Sequence, residues 1–230
     1  MNKIAILQPN YIPWKGVFDL IDKVDHFVFY DDVQYTKKDW RNRNFIKAKN
    51  SNLLLSIPVK TKGKNNQLIC HTLIDNDNNW QNKHYKSIMN CYGNSQFING
   101  YHYILEELYL SRKWQLLSEF NVFSTKLIAK AIDIESNWYL SSSLSQKGTK
   151  AGTKVIQICK QLQCDHFING PSSKEFLDLN LFKENNIDVE FIKYNYPVYN
   201  QLHAPFCHNV SILDLIFNCG PNSINLIRNI

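Results

Sequence analysis

Two adjacent carboxylates, Asp31 and Asp32, follow the apolar segment His26–Tyr30, which has the composition of a buried strand. At the end of a strand such carboxylates can bind Mg²⁺, accept a proton as a general base, or cap the next segment. Adjacent side chains of a strand point to opposite faces, so at most one of the two can contact a ligand directly. We treat both as candidate catalytic residues.

A second group of candidates lies in a strongly basic segment. Between Gln34 and Lys64 nine Lys and Arg residues stand against one acid, a balance of 9 − 1 = +8, whereas the whole chain carries 26 − 20 = +6. Such a segment is either a solvated lysine-rich surface or a site for an anion such as a nucleotide phosphate, a nucleotide-sugar pyrophosphate or RNA. The candidate binding residues in it are Arg41, Asn42, Arg43 and Lys47.

The loop after the first predicted strand is rich in polar and aromatic residues. It contains no G-x-G-x-x-G or P-loop pattern, so the two common phosphate motifs are absent. Backbone amides at the start of the following helix are still available to an anion. The alternative is a structural loop in which the aromatic side chains pack and a glycine makes a tight turn. The candidate ligand contacts from this loop are Gln8, Asn10, Tyr11, Pro13, Trp14 and Gly16.

Two later segments complete the set of candidates. Between a predicted strand and a helix, amides, a hydroxyl and an ammonium are available to a phosphate at Asn169, Gly170, Ser172 and Lys174. A polar and aromatic loop near the end contributes Gln201 and His203, and His203 is the best placed of the seven histidines for proton transfer. The six cysteines are scattered singly, without the paired spacing of a zinc site, so we expect no metal centre.

These candidates need elements to position them, and the apolar pattern predicts a parallel α/β sheet. Lys3–Leu7 is a short buried strand, a stripe from Val17 to Val24 is a helix, and a second strand follows at 26–30. In such a sheet ligands bind outside the carboxyl ends of the strands. Leu53–Val59 is predicted as a third strand, and strands at 136–140, 166–168 and 189–192 alternate with helices.

Helical periodicity over residues 80–132 predicts a helical insertion in this sheet. We find no internal repeat and no long linker, and therefore expect one compact domain over residues 1–230 with a Rossmann-like fold. Its first strand, loop and helix are similar to the entry of the adenylyltransferase-like fold, where two histidines around a glycine bind ATP phosphates. Pro13–Gly16 stands where those histidines are expected, which argues against adenylyl transfer and leaves nucleotide or nucleotide-sugar binding open.

The composition excludes several classes of protein. Hydrophobic residues make up 44% of the 230 residues and charged residues 20%, unlike a disordered chain, a coiled coil or a collagen-like rod. No apolar run approaches the ~20 residues needed to span a bilayer, and the apolar run at the start is too short for a signal peptide. We therefore expect a cytoplasmic protein without a membrane span.

Several motifs together resemble the WbqC-like family of proteins from bacterial polysaccharide gene clusters. The matching stretches are Ile6–Gly16 with Phe18–Ile21, Phe29–Tyr35, Trp40–Arg43, Ile57–Val59, Asn169-Gly170 with Phe176–Asp178, Tyr199–Gln201 and Ser211–Gly220. The resemblance covers the chain from end to end. It implies a role in the synthesis of O-antigen or a related surface glycan, with transfer of a glycyl or another small acyl group to an amino sugar.

The residues and this resemblance together predict an enzyme that joins an aminoacyl or acyl group to the amine of a nucleotide-linked amino sugar. Arg41 and Arg43 are expected to hold the pyrophosphate, and Asp31 or Asp32 to take the proton from the attacking ammonium. The predicted donor is an aminoacyl-tRNA such as glycyl-tRNA, or an acyl-adenylate. No pattern names a cofactor, although a nucleotide, as ATP or a nucleotide sugar, fits the basic segment. The alternatives are a non-catalytic sugar-nucleotide- or glycan-binding partner of the assembly machinery, and a nucleotidyltransferase-like enzyme.

Overall fold

The computed structural model describes residues 1–144 and 151–229. Its strands are β1 (Lys3–Leu7), β2 (His26–Phe29), β3 (Arg43–Lys47), β4 (Asn52–Ser56), β5 (Asn137–Leu140), β6 (His166–Asn169) and β7 (Asp188–Phe191). Its helices are α1 (Lys15–Asp22), α2 (Trp80–Tyr92), α3 (Ile98–Tyr109), α4 (Leu117–Ala131), α5 (Ala151–Gln161), α6 (Leu179–Glu184), α7 (Ile212–Cys219) and α8 (Ser223–Arg228). Short 3-10 turns connect several of them.

Five strands form one parallel sheet in the order β5-β2-β1-β6-β7. This is the Rossmann-type order, in which the chain winds outward from the central strand first in one direction and then in the other. The predicted α/β, Rossmann-like class is therefore confirmed. The winding direction reverses between β1 and β6, so the carboxyl ends of these two strands flank the crevice where such sheets bind ligands.

The apolar run of β1 explains its central place. Ile4, Ala5 and Ile6 are all buried, as expected for a strand covered on both faces. Ile4 and Ile6 pack in a smaller core with α5 and α6, whereas Ala5 faces a larger core built from the other helices and the β3–β4 hairpin. The alternation of side chains along the strand thus divides the apolar residues between two layers.

The predicted third strand is wrong in its placement. Leu53–Ser56 lie in β4, which pairs antiparallel with β3 in a separate two-stranded hairpin and does not join the parallel sheet. Residues 57–59 continue outside the strand. An apolar run of this length predicts a strand but does not identify its partner, and here the preceding segment 43–47 supplies it.

The helical periodicity predicted over 80–132 corresponds to α2, α3 and α4, which lie on the larger-core side of the sheet. The last long helix, α7, is capped by Ser211, whose Oγ accepts a hydrogen bond from Leu213 N at 3.2 Å. None of the described helices is both long enough and apolar enough to cross a membrane.

The end of α7 gives a sharp test of the packing between α7 and α3. Gly220 has φ +54° and ψ −129°, a conformation that essentially only glycine adopts, and a Cβ there would stand 2.4 Å from the ring of Phe97. We expect Gly220→Ala to lower the free energy of unfolding by about 1–3 kcal/mol, measured by urea denaturation.

The matched control is Gly100→Ala within α3, where a new Cβ has no neighbour within 4 Å. Because alanine is the better helix former, this change should raise stability by about 0.5–1 kcal/mol. A Gly220→Ala variant as stable as the wild type would contradict the packing described here.

Candidate functional site

The predicted polar residues meet at the carboxyl edge of the sheet. Gln8 follows β1, Asp31 and Asp32 follow β2, and Asn169 ends β6. The hydrogen bond from Tyr30 N to Leu7 O, 2.8 Å long, ties the ends of the neighbouring strands β1 and β2 together. The parallel arrangement therefore places these residues on one rim, as the sequence predicts for a ligand site.

Asp31 is buried and its carboxylate is held by two serines that follow β5. Ser142 donates twice, from its backbone N–H to Asp31 Oδ1 at 2.9 Å and from its hydroxyl to Oδ2 at 2.7 Å. Ser141 Oγ lies 3.1 Å from Asp31 Oδ1 and accepts the backbone N–H of Asp31 at the same distance. Asp31 therefore joins the ends of β2 and β5, and its oxygens are already occupied.

Asp32 is the more accessible carboxylate. Its Oδ2 lies 2.6 Å from Nζ of Lys154, and its Oδ1 is in hydrogen-bond contact with Ser141 Oγ. The ammonium of Lys154 also lies 5.1 Å from the centre of the Tyr30 ring. Burial, reinforced by the charge of Asp32, raises the pKa of Tyr30 to about 12. Sequence reasoning missed Lys154, whose one signal is its position in the first turn of the helix after β5.

Of the predicted arginine pair, only Arg41 lies at this edge. Its Nε donates to Oε1 of Gln8, directly after β1, and its Nη1 lies 3.2 Å from Asp39 Oδ1. Arg43 is directed elsewhere, because its guanidinium donates to the backbone carbonyl of Lys38. The expectation that the two arginines act as one clamp is therefore corrected: neighbours two apart along a chain need not reach the same place.

Asn42 and Lys47, also predicted to bind a ligand, occupy buried positions. Asn42 Nδ2 donates to the carbonyl of Ile57 at 2.8 Å, which fixes the chain after β4. The backbone N–H of Lys47 donates to the hydroxyl of Tyr92 at 2.8 Å, which joins β3 to α2. Both residues connect elements of the larger core and neither lies with Gln8 and Arg41.

Tyr11, predicted to contact a ligand, lies in the core. Its side chain is buried, and its hydroxyl lies 2.8 Å from His84 Nδ1 and 2.6 Å from the hydroxyl of Tyr109. Burial lowers the pKa of His84 to about 4, so this ring is neutral near pH 7. The aromatic residue in the motif is used to anchor the loop to α2 and α3.

Pro13 and Gly16 also have structural positions. The carbonyl of Pro13 accepts the backbone N–H of Ile212 at 3.0 Å, which joins the loop to the start of α7. The indole of Trp14 lies against Gly16, where a Cβ would stand 2.3 Å from the ring. Gly16 is thus required by a close approach of Trp14 rather than by a ligand, and this ring covers the first turn of α1.

The other side of the crevice is formed by the loops after β6 and β7. The ring of Tyr194 lies 4.8 Å from that of Trp14, and its hydroxyl stands 3.5 Å from where a Cβ on Gly170 would lie. Asn169 Oδ1 accepts the N–H of Gly170 at 2.8 Å. Within the described part of the chain, the buried Oδ1 of Asn10 has no hydrogen-bond partner.

Ser172 and Lys174 lie in an exposed 3-10 turn over Pro171–Glu175. The ammonium of Lys174 lies 5.1 Å from the centre of the Phe191 ring, at the end of β7. Apart from this ring, neither side chain has a partner among the described residues. Both therefore remain candidates at the outer rim of the crevice.

A buried ionic cluster lies beneath the loop. Lys15 Nζ lies 3.3 Å from the carbonyl of His208 and between 5 and 6 Å from the rings of Tyr196 and Tyr199. Burial lowers the pKa of Lys15 to about 8, although the charge of Asp214 opposes this. Burial likewise raises the pKa of Asp214. The sequence did not single out either residue, although both stand inside the motifs quoted above.

Gln201 belongs to this cluster and not to the sheet edge. Its Nε2 donates to Asp214 Oδ2 at 2.6 Å and to the carbonyl of Cys207 at 2.8 Å, so its amide is fully used inside the protein. The ring of His203 lies with Nε2 3.1 Å from the carbonyl of Cys91, at the end of α2. These contacts hold the long segment after β7 against α7 and α2.

The two aspartates should respond differently to loss of charge. Asp31→Asn replaces one acceptor oxygen by an NH₂ group that faces the serine donors, so we expect a loss of about 1–3 kcal/mol in the free energy of unfolding. Asp32→Asn keeps an acceptor for Ser141 and loses a partly solvated ion pair, at a cost of about 0–1 kcal/mol. Chemical denaturation of both variants measures the difference. Equal losses would contradict the assignment of Asp31 as the connecting residue.

Comparison with known proteins places these features in a family. A model described as the WbqC-like protein family matches residues 8–226, which include the rim residues after β1, β2 and β6. An uncharacterized protein of Mycobacterium tuberculosis, Rv1507c, is 36% identical over 230 residues, covering 99% of this chain and 98% of the relative. No solved structure matches the chain significantly. The match over nearly its whole length shows that this chain belongs to the WbqC-like family.

Proposed function

We propose that this protein is an enzyme of surface-glycan synthesis, of the O-antigen type, that transfers an acyl or aminoacyl group to the amine of a nucleotide-linked sugar. The observation that carries the proposal is that Arg41 contacts Gln8 at the end of β1 while Asp32 follows the adjacent strand β2, so that both lie at the carboxyl edge of a Rossmann-like sheet. Arg41 suits a pyrophosphate, and Asp32 suits an ammonium. Family membership agrees with the proposal without specifying a reaction.

Arg41 has the features of a phosphate-binding group. Gln8 and Asp39 hold its guanidinium at the end of the central strand while part of its side chain stays exposed. A guanidinium offers two parallel N–H donors to a phosphate, which a lysine ammonium does not. Because the side chain is already ordered, little conformational entropy is lost when a ligand binds.

Asp32 has the features of the group that receives the amine. Its carboxylate is only partly covered, and it forms an ion pair with the ammonium of Lys154. A substrate ammonium can replace Lys154 at Oδ2 and then give its proton to this oxygen. Asp31 does not suit this role, because its oxygens accept hydrogen bonds from Ser142 inside the protein.

The reaction then proceeds as an aminolysis of an activated acyl ester or thioester. The neutral amine attacks the acyl carbon, so that a C–N bond forms and the bond from carbon to the leaving oxygen or sulfur breaks. Asp32 releases the ammonium proton to solvent, and after the C–N bond forms it takes the second proton from the attacking nitrogen and passes it to the leaving group, which departs as an alcohol or a thiol. The carboxylate is thereby returned to its charged form, with Lys154 again as its partner.

Replacement of Arg41 tests the binding half of the proposal. We expect Arg41→Ala to weaken binding of a nucleotide-linked amino sugar by about 1.5–3 kcal/mol, the value of a charge-assisted hydrogen bond, which is roughly 10- to 150-fold in Kd. Isothermal titration calorimetry measures it. Arg43→Ala is the matched control, since that guanidinium points away from the sheet edge. Equal affinities for Arg41→Ala and Arg43→Ala would remove Arg41 from the site.

Replacement of Asp32 tests the chemical half. With nucleotide-linked amino sugars and a panel of acyl donors, mass spectrometry should detect an N-acylated product from the wild type. Asp32→Asn should lose turnover by about 10²-fold or more while retaining substrate binding, as expected for loss of a general base. Binding without turnover in the wild type would favour the alternative, a non-catalytic sugar-nucleotide-binding protein.

A further inference from the structure

The outer face of the β3–β4 hairpin is apolar and exposed. Phe45 and Leu54 are directly opposite each other on this face, and the ring of Trp40 lies 6.2 Å from that of Phe45. Trp40 is 50% exposed and Leu54 40%. Their strand neighbours Ile46 and Leu55 are buried on the opposite side. The hairpin therefore has one face in the larger core and a second face that presents a half-exposed indole to solvent.

Unpaired cations surround this face. Arg43 stands two residues before Phe45 and so lies on the same side of the strand, with its guanidinium over the turn at Lys38. Lys37, Lys38 and Lys49 are exposed, and among the described residues none of them or Arg43 has an ion pair. The single acid of the segment, Asp39, is paired with Arg41 at 3.2 Å and does not neutralise them.

Three other lysines of the basic segment lie near carboxylates: Lys60, Lys62 and Lys64 line a depression together with Asp75 and Asp77. Apart from Arg41, which pairs with Asp39, the cations next to Trp40 in the chain are Lys37, Lys38 and Arg43. An aromatic platform ringed by cations, without a nearby free carboxylate, is the arrangement that binds single-stranded nucleic acid, since bases stack on the rings and phosphates meet the cations.

We propose that the outer face of this hairpin binds single-stranded nucleic acid. The face is also continuous with the sheet edge: Trp40 and Arg41 are consecutive, and the carbonyl of Trp40 accepts the N–H of Tyr11 from the loop after β1 at 2.9 Å. One segment thus directs Trp40 and Arg43 outward and Arg41 inward. The identity of the bound strand rests on the proposed function: it is the 3′ end of an RNA that carries the acyl donor to the site.

The chemistry of such a donor balances. The sugar amine attacks the carbonyl carbon of the ester that links the acyl group to the terminal ribose. A C–N bond forms, the C–O bond to the ribose breaks, and the ribose oxygen takes the proton released through Asp32. The RNA leaves with a free terminal hydroxyl.

The test measures binding of a fluorescein-labelled single-stranded RNA of about ten nucleotides, within the site size of one such platform, by fluorescence anisotropy over a salt series. Stacking of one base contributes about 1–3 kcal/mol, so Trp40→Ala should weaken binding roughly 5- to 150-fold. Trp40→Phe, which keeps a ring, should retain most of the affinity. Arg43→Gln should weaken binding and lower the log–log salt slope by about 0.7.

Two matched variants serve as controls. Tyr103→Ala removes an aromatic side chain of similar exposure, 42%, from α3, and Lys183→Gln removes an exposed cation from α6, against the other face of the sheet. Both should bind RNA as the wild type does. Circular dichroism and thermal unfolding establish that each variant is folded.

Three results would overturn the proposal. Equal RNA affinity of Trp40→Ala and Tyr103→Ala would show a general electrostatic surface. Binding to vesicles of equal parts phosphatidylglycerol and phosphatidylcholine that depends on Trp40, without RNA binding, would assign the face to a membrane. Self-association that Trp40→Ala abolishes, again without RNA binding, would assign it to a second copy of the chain.

The nucleotide-sugar titration of Arg41→Ala separates this proposal from the proposed function. A wild-type protein that binds the sugar nucleotide but no single-stranded RNA would refute the nucleic-acid surface alone. RNA binding that depends on Trp40, in a protein that binds no sugar nucleotide, would refute the proposed function and leave the nucleic-acid surface supported.

Discussion

The rest of the site depends on how the buried backbone carbonyls of the loop after β1 find hydrogen-bond donors. This loop contains Pro9 and Pro13 and forms no regular structure, so its buried carbonyls need donors from other parts of the chain. The backbone N–H of Ile212 supplies Pro13 O, and two side-chain amides supply others. Asn44 Nδ2 donates to Ile12 O at 2.7 Å, and Asn121 Nδ2, fully buried in α4, donates to Pro9 O at 3.1 Å and to Arg41 O at 2.8 Å.

These hydrogen bonds join three distant parts of the chain. The amide of Asn121 links the helical segment 80–132 to both the central strand and the basic segment, and Asn44 links the hairpin to the same loop. A buried carbonyl without a donor costs about 1–3 kcal/mol, so each amide strongly favours one relative position of its elements. The place of Arg41 at the sheet edge follows from this, because its own carbonyl is one of the acceptors.

The charged groups at the edge form pairs before any ligand arrives. Asp31 is held by serines, Asp32 by Lys154 and Arg41 by Asp39. Preformed pairs of this kind hold side chains in fixed geometry, so a ligand meets oriented charges rather than mobile ones. On the outer hairpin face the cations lack such partners. This is the physical difference between the outward side of segment 40–43, with Trp40 and Arg43, and its inward side, with Arg41.

The residues whose positions could be predicted were those fixed by the local pattern of apolar residues. The continuous apolar run of β1 determined a doubly covered strand, and the strand–helix–strand order determined a parallel sheet with Gln8, Asp31 and Asn169 on one rim. The alternation of side chains also predicted that Asp31 and Asp32 differ. Which of the two is buried was not predictable, because the answer lies in Ser141, Ser142 and Lys154, more than 100 residues away.

The same limit explains the errors. Tyr11 carries a polar hydroxyl in a polar loop and reads as a ligand contact, but His84 and Tyr109 receive it in the core. Arg41 and Arg43 are equivalent in the sequence and separate in space, because Gln8 attracts one guanidinium and the carbonyl of Lys38 the other. The sequence by itself determined the sheet and the residues at its rim, since burial and periodicity act over a few residues. Only the tertiary structure decided which polar groups remain free, since hydrogen-bond partners come from any part of the chain that packing places within about 3 Å.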